Sequence, residues 1–434
     1  MTGRFASLPM SLCLLALLAS LAGCATTDDV NAVLAAAKRA QQTADQAKAS
    51  ADAAMAKADA ATAMADDASA KNDRIFQKSI SGPIPQAPPG TLAVEHLFFA
   101  TDRKVERRGS VPVAFGPTMA PLTYGQVDVT IPKNHQPGTV EKGVYVVWKL
   151  WPPTLEIRPD PARSFVMMAP QILTRGWFEE KISETPRKRA LIFIHGFNTS
   201  FEDAAFKTAQ IVYDTGFDGA AVFFSWPSLA KIGPREYVSD QDAANSAAPD
   251  LATVIKTVRQ AVGPDGEIYL IAHSMGNLPL VEYLFEEERP AVPNHLANAI
   301  VFAAPDVDAN LFRSRITGVT EKREHMTLYA SSTDKALMAS ADIVRTGNVP
   351  RAGQVINGQP AIVMEGIDSI DVSALSDFTD LGHGTYSQSE DLLGDIRSII
   401  KSGSYPPPDK RAPSLFTEIK SAIGVFWRAV KGGP

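Results

Sequence analysis

Ile268-Tyr269-Leu270-Ile271-Ala272-His273-Ser274-Met275-Gly276-Asn277 is the stretch on which the reading of this chain turns. Its first four residues form a short apolar run of the kind that fills a fully buried strand, and from Asn277 to Glu287 apolar residues recur at helical spacing. Ser274 therefore sits on a sharp turn between a strand and a helix. Small residues stand two positions to either side, Ala272 and Gly276, because a tight turn brings chain segments into close approach. That setting exposes a serine hydroxyl at the end of a strand, as a nucleophile elbow requires. Ala272 replaces the commoner glycine and is one methyl larger.

Outward from this turn, apolar runs alternate with helical patterns. Leu191–Ile194, Ala221–Phe224, Ile268–Ile271 and Ile300–Phe302 read as buried strands, and Phe201–Tyr213, Ala248–Val262 and Asn277–Glu287 as helices between them. Such alternation predicts a mostly parallel sheet covered by helices on both faces, in the α/β class. Val94–Ala100 and Gln126–Ile131 are expected as further, antiparallel strands. Residues 228–247 carry no strand pattern and are candidates to cover the site.

A serine hydroxyl needs a base, and the tetrahedral product of its attack needs donors for an oxyanion. Where a nucleophile elbow occurs, the chain order is serine, then Asp or Glu, then histidine. Of the later histidines His295, His325 and His383, only His383 lies in a glycine-flanked loop, Leu381-Gly382-His383-Gly384. Two acids compete. Asp306 follows the strand Ile300–Phe302, and Asp334 follows the strand Met326–Tyr329. Phe193-Ile194-His195-Gly196-Phe197 closes another buried strand and resembles the oxyanion-hole turn of the α/β-hydrolase fold. By that resemblance the backbone N–H groups of Phe197 and Met275 receive the oxyanion, and His195 and His273 are packing residues. The same resemblance favours Asp334 as the acid and leaves Asp306 as the alternative. Phe197, Trp226 and Tyr237 either line an acyl pocket or belong to the core.

The runs IFIHGFNTSFEDAAF (192–206), GFDGAAVFFSWPS (216–228), LIAHSMGN (270–277), AAPDVD (303–308) and LYASSTDKAL (328–337) are similar to a bacterial α/β-hydrolase family of esterase/lipase-superfamily enzymes, formerly a domain of unknown function. The similarity spans residues 92–402. It implies carboxylic ester hydrolysis by a Ser274–His383–Asp334 triad on a small acyl ester, with no cofactor and no metal. The same machinery also serves thioesterases, amidases and acyltransferases. A different class of reading is a structural envelope lipoprotein whose hydrolase domain only binds.

The rest of the chain bounds its location. Arg4 and the apolar run Met10–Leu21 precede Leu21-Ala22-Gly23-Cys24, which resembles a bacterial lipobox, so residues 1–23 are expected as a signal and Cys24 as the lipidated anchor. Ala25 after the cysteine implies, by the lipoprotein sorting rule, the outer membrane. Residues 24–78 are alanine-rich with apolar a and d heptad positions, Val30 and Val33 first, and resemble the rods of murein lipoproteins. They are expected to form a long helix that self-associates through residues 30–75. A proline-rich linker (79–90) leads to the hydrolase domain (91–403), and a second proline break opens 404–434, an amphipathic helix through Leu415, Ile419, Phe426 and Val430. That helix either packs on the domain or lies on a membrane. The 434 residues carry a net charge of −6 without a basic run, which argues against nucleic acid. The two cysteines, Cys13 and Cys24, offer the domain no disulfide or Cys-based metal site.

Overall fold

The apolar runs become the centre of a ten-stranded sheet in a computed structural model of the chain. It describes residues 42, 88, 90–108, 111–142, 144–150, 153–287, 297–317, 319, 325–344, 349–373 and 390–401. Cys24, the alanine-rich segment apart from Gln42, His295, His383 and the amphipathic tail lie outside the described residues. The chain divides into two compact units, Met1–Ser81 and Gly82–Pro434.

The second unit opens with β1 (Thr91–Arg108), β2 (Val111–Pro132), a hairpin β3 (Val144–Leu150) and β4 (Pro153–Pro159), then β5 (Val166–Met167), β6 (Gln171–Leu173) and α1 (Arg175–Ser183). The alternating part follows: β7 (Arg189–Ile194), α2 (Phe201–Thr215), β8 (Ala220–Ser225), α3 (Pro234–Ser246), α4 (Ala248–Val262), β9 (Glu267–His273), α5 (Asn277–Glu287), β10 (Ala299–Ala303), α6 (Ala309–Ile316), β11 (His325–Ala330) and α7 (Lys335–Val344). A small hairpin, β12 (Val355–Ile356) and β13 (Gln359–Pro360), precedes β14 (Ile367–Asp371) and α8 (Glu390–Lys401). In the large sheet the order is β14-β11-β10-β9-β7-β8-β1-β2-β5, with β6 also paired to β2.

Every residue of β7, β8 and β10 is buried, as parallel strands covered on both faces require. Successive side chains alternate between two cores. Ile192, Ile194, Val222, Phe224 and Leu270 pack with Leu251, Ile255 and Leu284 on one face. Leu191, Phe193, Phe223 and Ile271 pack with Phe201, Ile211, Leu392 and Ile396 on the other. Each such side chain contributes about 1.5–3 kcal/mol on burial, so a one-residue slip would be opposed from both faces at once. α2 is fixed at both ends by its own sequence. The Ser200 hydroxyl accepts from Asp203 N–H at 3.0 Å, and Gly216 takes the left-handed cap at φ 59°.

Two stretches show more than their sequence patterns. Val94–Ala100 lies in a strand antiparallel to β2, as expected, and also parallel to β8, with Phe98 opposite both Gln126 and Val222. β1 is thus interior to the sheet. The stretch 228–247 contains α3, whose buried face is Tyr237, Asp240 and Ala244. An aspartate on the inward face broke the apolar periodicity that would have revealed a helix.

The parallel strands finish level with one another, Ile194 beside Ala272, and Ala303 beside both His273 and Tyr329. This C-terminal edge gathers the loops after β7, β8, β9, β10 and β11, where open α/β sheets place their chemistry. Within β1, Asp102 is fully buried, and among the described residues no other residue donates a hydrogen bond to its carboxylate. Burial first, and the neighbouring Asp250 charge second, push its pKa up to about 7. A carboxyl whose folded pKa lies above its unfolded value loses stability as pH rises from about 4 through about 7. Asp102→Asn should therefore unfold at a higher temperature than the native chain, by a margin that widens between those pH values and is constant above. A margin independent of pH in calorimetric scans would contradict this.

Candidate active site

Ser274 closes β9 with φ 54°, the left-handed conformation that L residues adopt only where the surroundings enforce it. A single 3-10 turn, Ser274–Gly276, leads directly into α5. Asn277 braces the turn: its side-chain amide donates to the carbonyls of Ala272 (3.2 Å) and Ser274 (2.9 Å). The Ser274 carbonyl also accepts from Asp306 N–H at 3.1 Å, which joins the elbow to the loop after β10.

The turn after β7 is pressed against this elbow. A methyl on Gly276 would stand 2.3 Å from the His195 carbonyl, and one on Gly196 would stand 2.8 Å from the Ser274 Cβ. Only glycine fits at either place, so the backbones that carry Phe197 and Met275 meet next to the serine. Met275 is buried and Phe197 half-buried.

His195 is buried beneath that turn, with both ring nitrogens engaged. Its Nδ1 lies 2.9 Å from the Gly196 carbonyl, and its Nε2 lies 3.1 Å from the Trp226 carbonyl and 3.2 Å from Ser225 Oγ. Burial first, then the Arg103 charge, hold its pKa down to about 3. Trp226 stacks on the ring at 4.7 Å and donates its indole N–H to the His195 carbonyl. Trp226 is fully buried and Tyr237 nearly so, which places both in the core, while half-buried Phe197 meets the Tyr237 ring edge-on at 5.4 Å.

Sequence reasoning missed the buried charges beneath the loops. The Arg103 guanidinium donates to Ser225 Oγ (2.9 Å), the Ser228 carbonyl (2.9 Å) and the Thr199 carbonyl (2.7 Å). Asp240 on α3 accepts from the Ser228 hydroxyl (2.5 Å), Leu229 N–H (2.7 Å) and Asn198 N–H (3.3 Å). The available signal was Asp102-Arg103, one residue beyond the apolar run Leu97–Ala100. A charge pair so placed is buried by the sheet unless the strand ends first.

The two acids occupy different surroundings, both buried. Asp306 accepts from Tyr237 Oη (2.8 Å) and Ser340 Oγ (2.7 Å) and lies 3.2 Å from Arg351 Nε. Burial first, and then the Asp306 charge, push the Tyr237 phenol well above its usual range. Asp334 caps α7, one carboxylate oxygen taking the N–H groups of Ala336 and Leu337 at 3.0 Å each. Its loop is tied to the exit of β14, where Ser332 N–H donates to Ser373 Oγ at 2.7 Å. The chain leaving Ser373 leads to His383, which lies outside the described residues.

The sequence matches the family described as alpha/beta hydrolase of unknown function (DUF900) over residues 171–401. Residues 24–81 match the family described as alanine-zipper, major outer membrane lipoprotein. An uncharacterized protein of Nostoc sp., alr1448, is 44% identical over 68 residues, which are 16% of this chain and 17% of that protein. The match thus spans about a sixth of the curated relative's length. Among solved structures, the chain is similar to the esterase of Pyrobaculum calidifontis, at 11% identity over 78% of this chain and 92% of that one, with a TM-score of 0.30. It is likewise similar to the siderophore hydrolase EstB from Aspergillus nidulans, at 12% identity over 75% and 100% of the two chains, with a TM-score of 0.31.

The glycine contacts make a stability prediction that needs no substrate. Gly276→Ala and Gly196→Ala force atoms apart against backbone and should each cost about 1–3 kcal/mol in urea unfolding. Gly394→Ala, inside α8 with nothing within 4 Å of the added methyl, should instead gain up to about 1 kcal/mol. Equal effects at the three positions would mean that the elbow is not tightly packed.

Proposed function

Because the chain belongs to the family of alpha/beta hydrolases of unknown function, we propose that it is a serine hydrolase that cleaves carboxylic esters. Ser274 is the nucleophile, His383 the base, Asp334 the acid that orients His383, and the amides of Phe197 and Met275 form the oxyanion hole. The observation that carries this reading is Ser274 at positive φ on the C-terminal edge of the sheet, pressed against the Gly196 turn.

In the forward half, the Ser274 hydroxyl attacks the ester carbonyl and gives its proton to His383. The carbonyl oxygen becomes an oxyanion that accepts from the two amides. The intermediate collapses to an acyl-Ser274 enzyme, and the alcohol leaves with the proton held by His383. A water molecule, deprotonated by His383, then attacks the acyl carbonyl and regenerates the free serine.

Asp334 suits the acid's task because its loop adjoins the β14 exit from which the chain runs to His383. Asp306 has its carboxylate engaged by Tyr237, Ser340 and Arg351, and serves to brace the loops around the site. Ser274→Ala should abolish covalent labelling by a fluorophosphonate probe. Asp334→Asn should lower ester turnover by about three to four orders of magnitude with little change in unfolding temperature. Asp306→Asn should act first on the unfolding temperature. Near-native turnover in Asp334→Asn, beside a folded but inactive Asp306→Asn, would transfer the acid's role to Asp306. Labelling that survives Ser274→Ala would sink the whole assignment.

The N-terminal unit supports a lipid-anchored place in the cell envelope, at the outer membrane. Residues 24–81 match the alanine-zipper family of lipoproteins, and Cys24 is their first residue. Among the described residues no helix is long and apolar enough to cross a membrane, so the attachment proposed is acylation of Cys24. Residues 30–75 join copies of the chain by packing small alanine faces. Cys24→Ser should move the protein from the membrane fraction to the soluble fraction, or leave it with its signal uncleaved. An unchanged mass and an unchanged membrane fraction would exclude lipidation there.

A further inference from the structure

The Gly196 carbonyl and the Phe197 N–H belong to one peptide unit. In a trans peptide these two groups point in opposite directions, so whatever fixes the carbonyl also aims the N–H. The group that meets this carbonyl is His195 Nδ1, at 2.9 Å. The hydrogen bond exists only if Nδ1 carries the proton, and a neutral imidazole carries one proton on either of two nitrogens. Something must therefore select the tautomer.

Arg103 does so by elimination. A guanidinium only donates, so Ser225 Oγ, 2.9 Å from Arg103 Nε, must accept from it. The Ser225 hydroxyl hydrogen is then left to point elsewhere, and His195 Nε2 stands 3.2 Å away. With Nε2 as acceptor, the proton sits on Nδ1 and bonds the Gly196 carbonyl. The opposite tautomer would donate to the Trp226 carbonyl at 3.1 Å. It would also set the Nδ1 lone pair against the Gly196 carbonyl at the shorter distance and leave the buried Ser225 hydrogen without an acceptor. An orphaned buried donor costs about 1–3 kcal/mol, which decides between the two forms. The imidazolium would satisfy both carbonyls, but burial and Arg103 hold it off.

We propose that Arg103 is a positioning residue for the hydrolysis: through Ser225 it sets the tautomer of His195, and through His195 it aims the Phe197 amide at the oxyanion. This rests on the serine-hydrolase reading above. The surrounding turn is held by the same guanidinium. Arg103 also holds the Thr199 carbonyl, while the Thr199 hydroxyl donates to the Phe197 carbonyl at 3.1 Å and Thr199 N–H donates to Ser228 Oγ at 3.1 Å. No atom of this relay need touch substrate. Its effect falls on the transition state, where a preorganised donor matters most.

The test compares His195→Asn, His195→Gln and Ser225→Ala in the full chain. Asparagine carries its amide nitrogen where histidine has Nδ1, and glutamine carries it where histidine has Nε2. Turnover of p-nitrophenyl butyrate is expressed per serine titrated with a fluorophosphonate, which removes misfolded molecules from the comparison. His195→Asn should keep kcat within about tenfold of the native chain. His195→Gln and Ser225→Ala should lower it by about a hundredfold with KM little changed, approaching the loss of one oxyanion donor. Binding of a trifluoromethyl ketone, which forms a tetrahedral oxyanion, should weaken by the same factor. A separate readout needs no turnover: nitrogen NMR of the histidine-labelled protein should show His195 protonated at Nδ1, and Ser225→Ala should shift that proton toward Nε2. Equal kcat per titrated site in Asn and Gln variants, or an Nε2-protonated His195 in the native chain, overturns the relay. A native chain that neither labels at Ser274 nor turns over ester overturns the hydrolase reading and with it the catalytic role of Arg103. The NMR result then still decides whether Arg103 sets the tautomer.

Discussion

The close approach of two turns is the constraint on which the rest of the site depends. Gly276 after the elbow and Gly196 after β7 each leave no room for a methyl, because each faces the other turn's backbone or Cβ. Side-chain packing could not hold two backbones this near, since any Cβ would keep them apart by its own radius. The glycines therefore buy proximity, and two consequences follow. The backbones that carry Phe197 and Met275 come together beside Ser274. The serine is forced to φ 54°, a strain the hydrogen bonds of Asn277 and Asp306 retain.

Loops brought together like this need support from below, and this chain supplies it with charge. Arg103, Asp240, Arg351 and Asp306 are all buried. Buried charges are poor sources of net stability, because desolvation offsets most of their attraction. Their merit is directional. Arg103 reaches three groups on two loops, and Asp240 reaches three more, so the loops after β7 and β8 cannot move independently. Apolar residues of the same volume would fill the space equally well and leave the peptide planes free to rotate.

Much of this was legible in the sequence, for reasons that can be stated. The strands from β7 to β11 are covered on both faces, so they are written as continuous apolar runs bounded by turn residues, and the elbow has a local signature. Local signals stop where an element's partners are distant. β1 could be read as a strand, but nothing in Val94–Ala100 says that one neighbour lies some 30 residues away and the other more than 100. α3 was hidden because Asp240 faces inward, and its reason for doing so is the loop of Ser228 and Asn198. Arg103 reads in sequence as the polar end of a strand. Its burial comes from β8 and the turn after β7, which only the fold brings over it. The histidine proposed for the site, His383, is read from its glycine-flanked sequence alone and lies outside the described residues.

The two aspartates show how partner sets separate residues that position alone cannot. Asp306 and Asp334 follow adjacent parallel strands, are equally buried, and stand within reach of the same edge. Spacing between neighbouring strands is about 4.8 Å, so the two acids lie too close together for position alone to separate them. What differs is what their charge already does. Asp306 faces Arg351 and takes two hydroxyl hydrogens, while its own N–H holds the Ser274 carbonyl. Drawing it toward an imidazole would strand a buried guanidinium and loosen the elbow together, at a cost on the order of several kcal/mol. Asp334 is held by backbone amides of the helix it caps. Backbone N–H groups at a helix start fix the direction of the carboxylate they hold. A charged, oriented carboxylate is what an imidazole needs beside it if it is to become imidazolium for an instant and return. The proposed division of labour thus follows from the partners already seen on each acid, the brace for Asp306 and the catalytic role for Asp334.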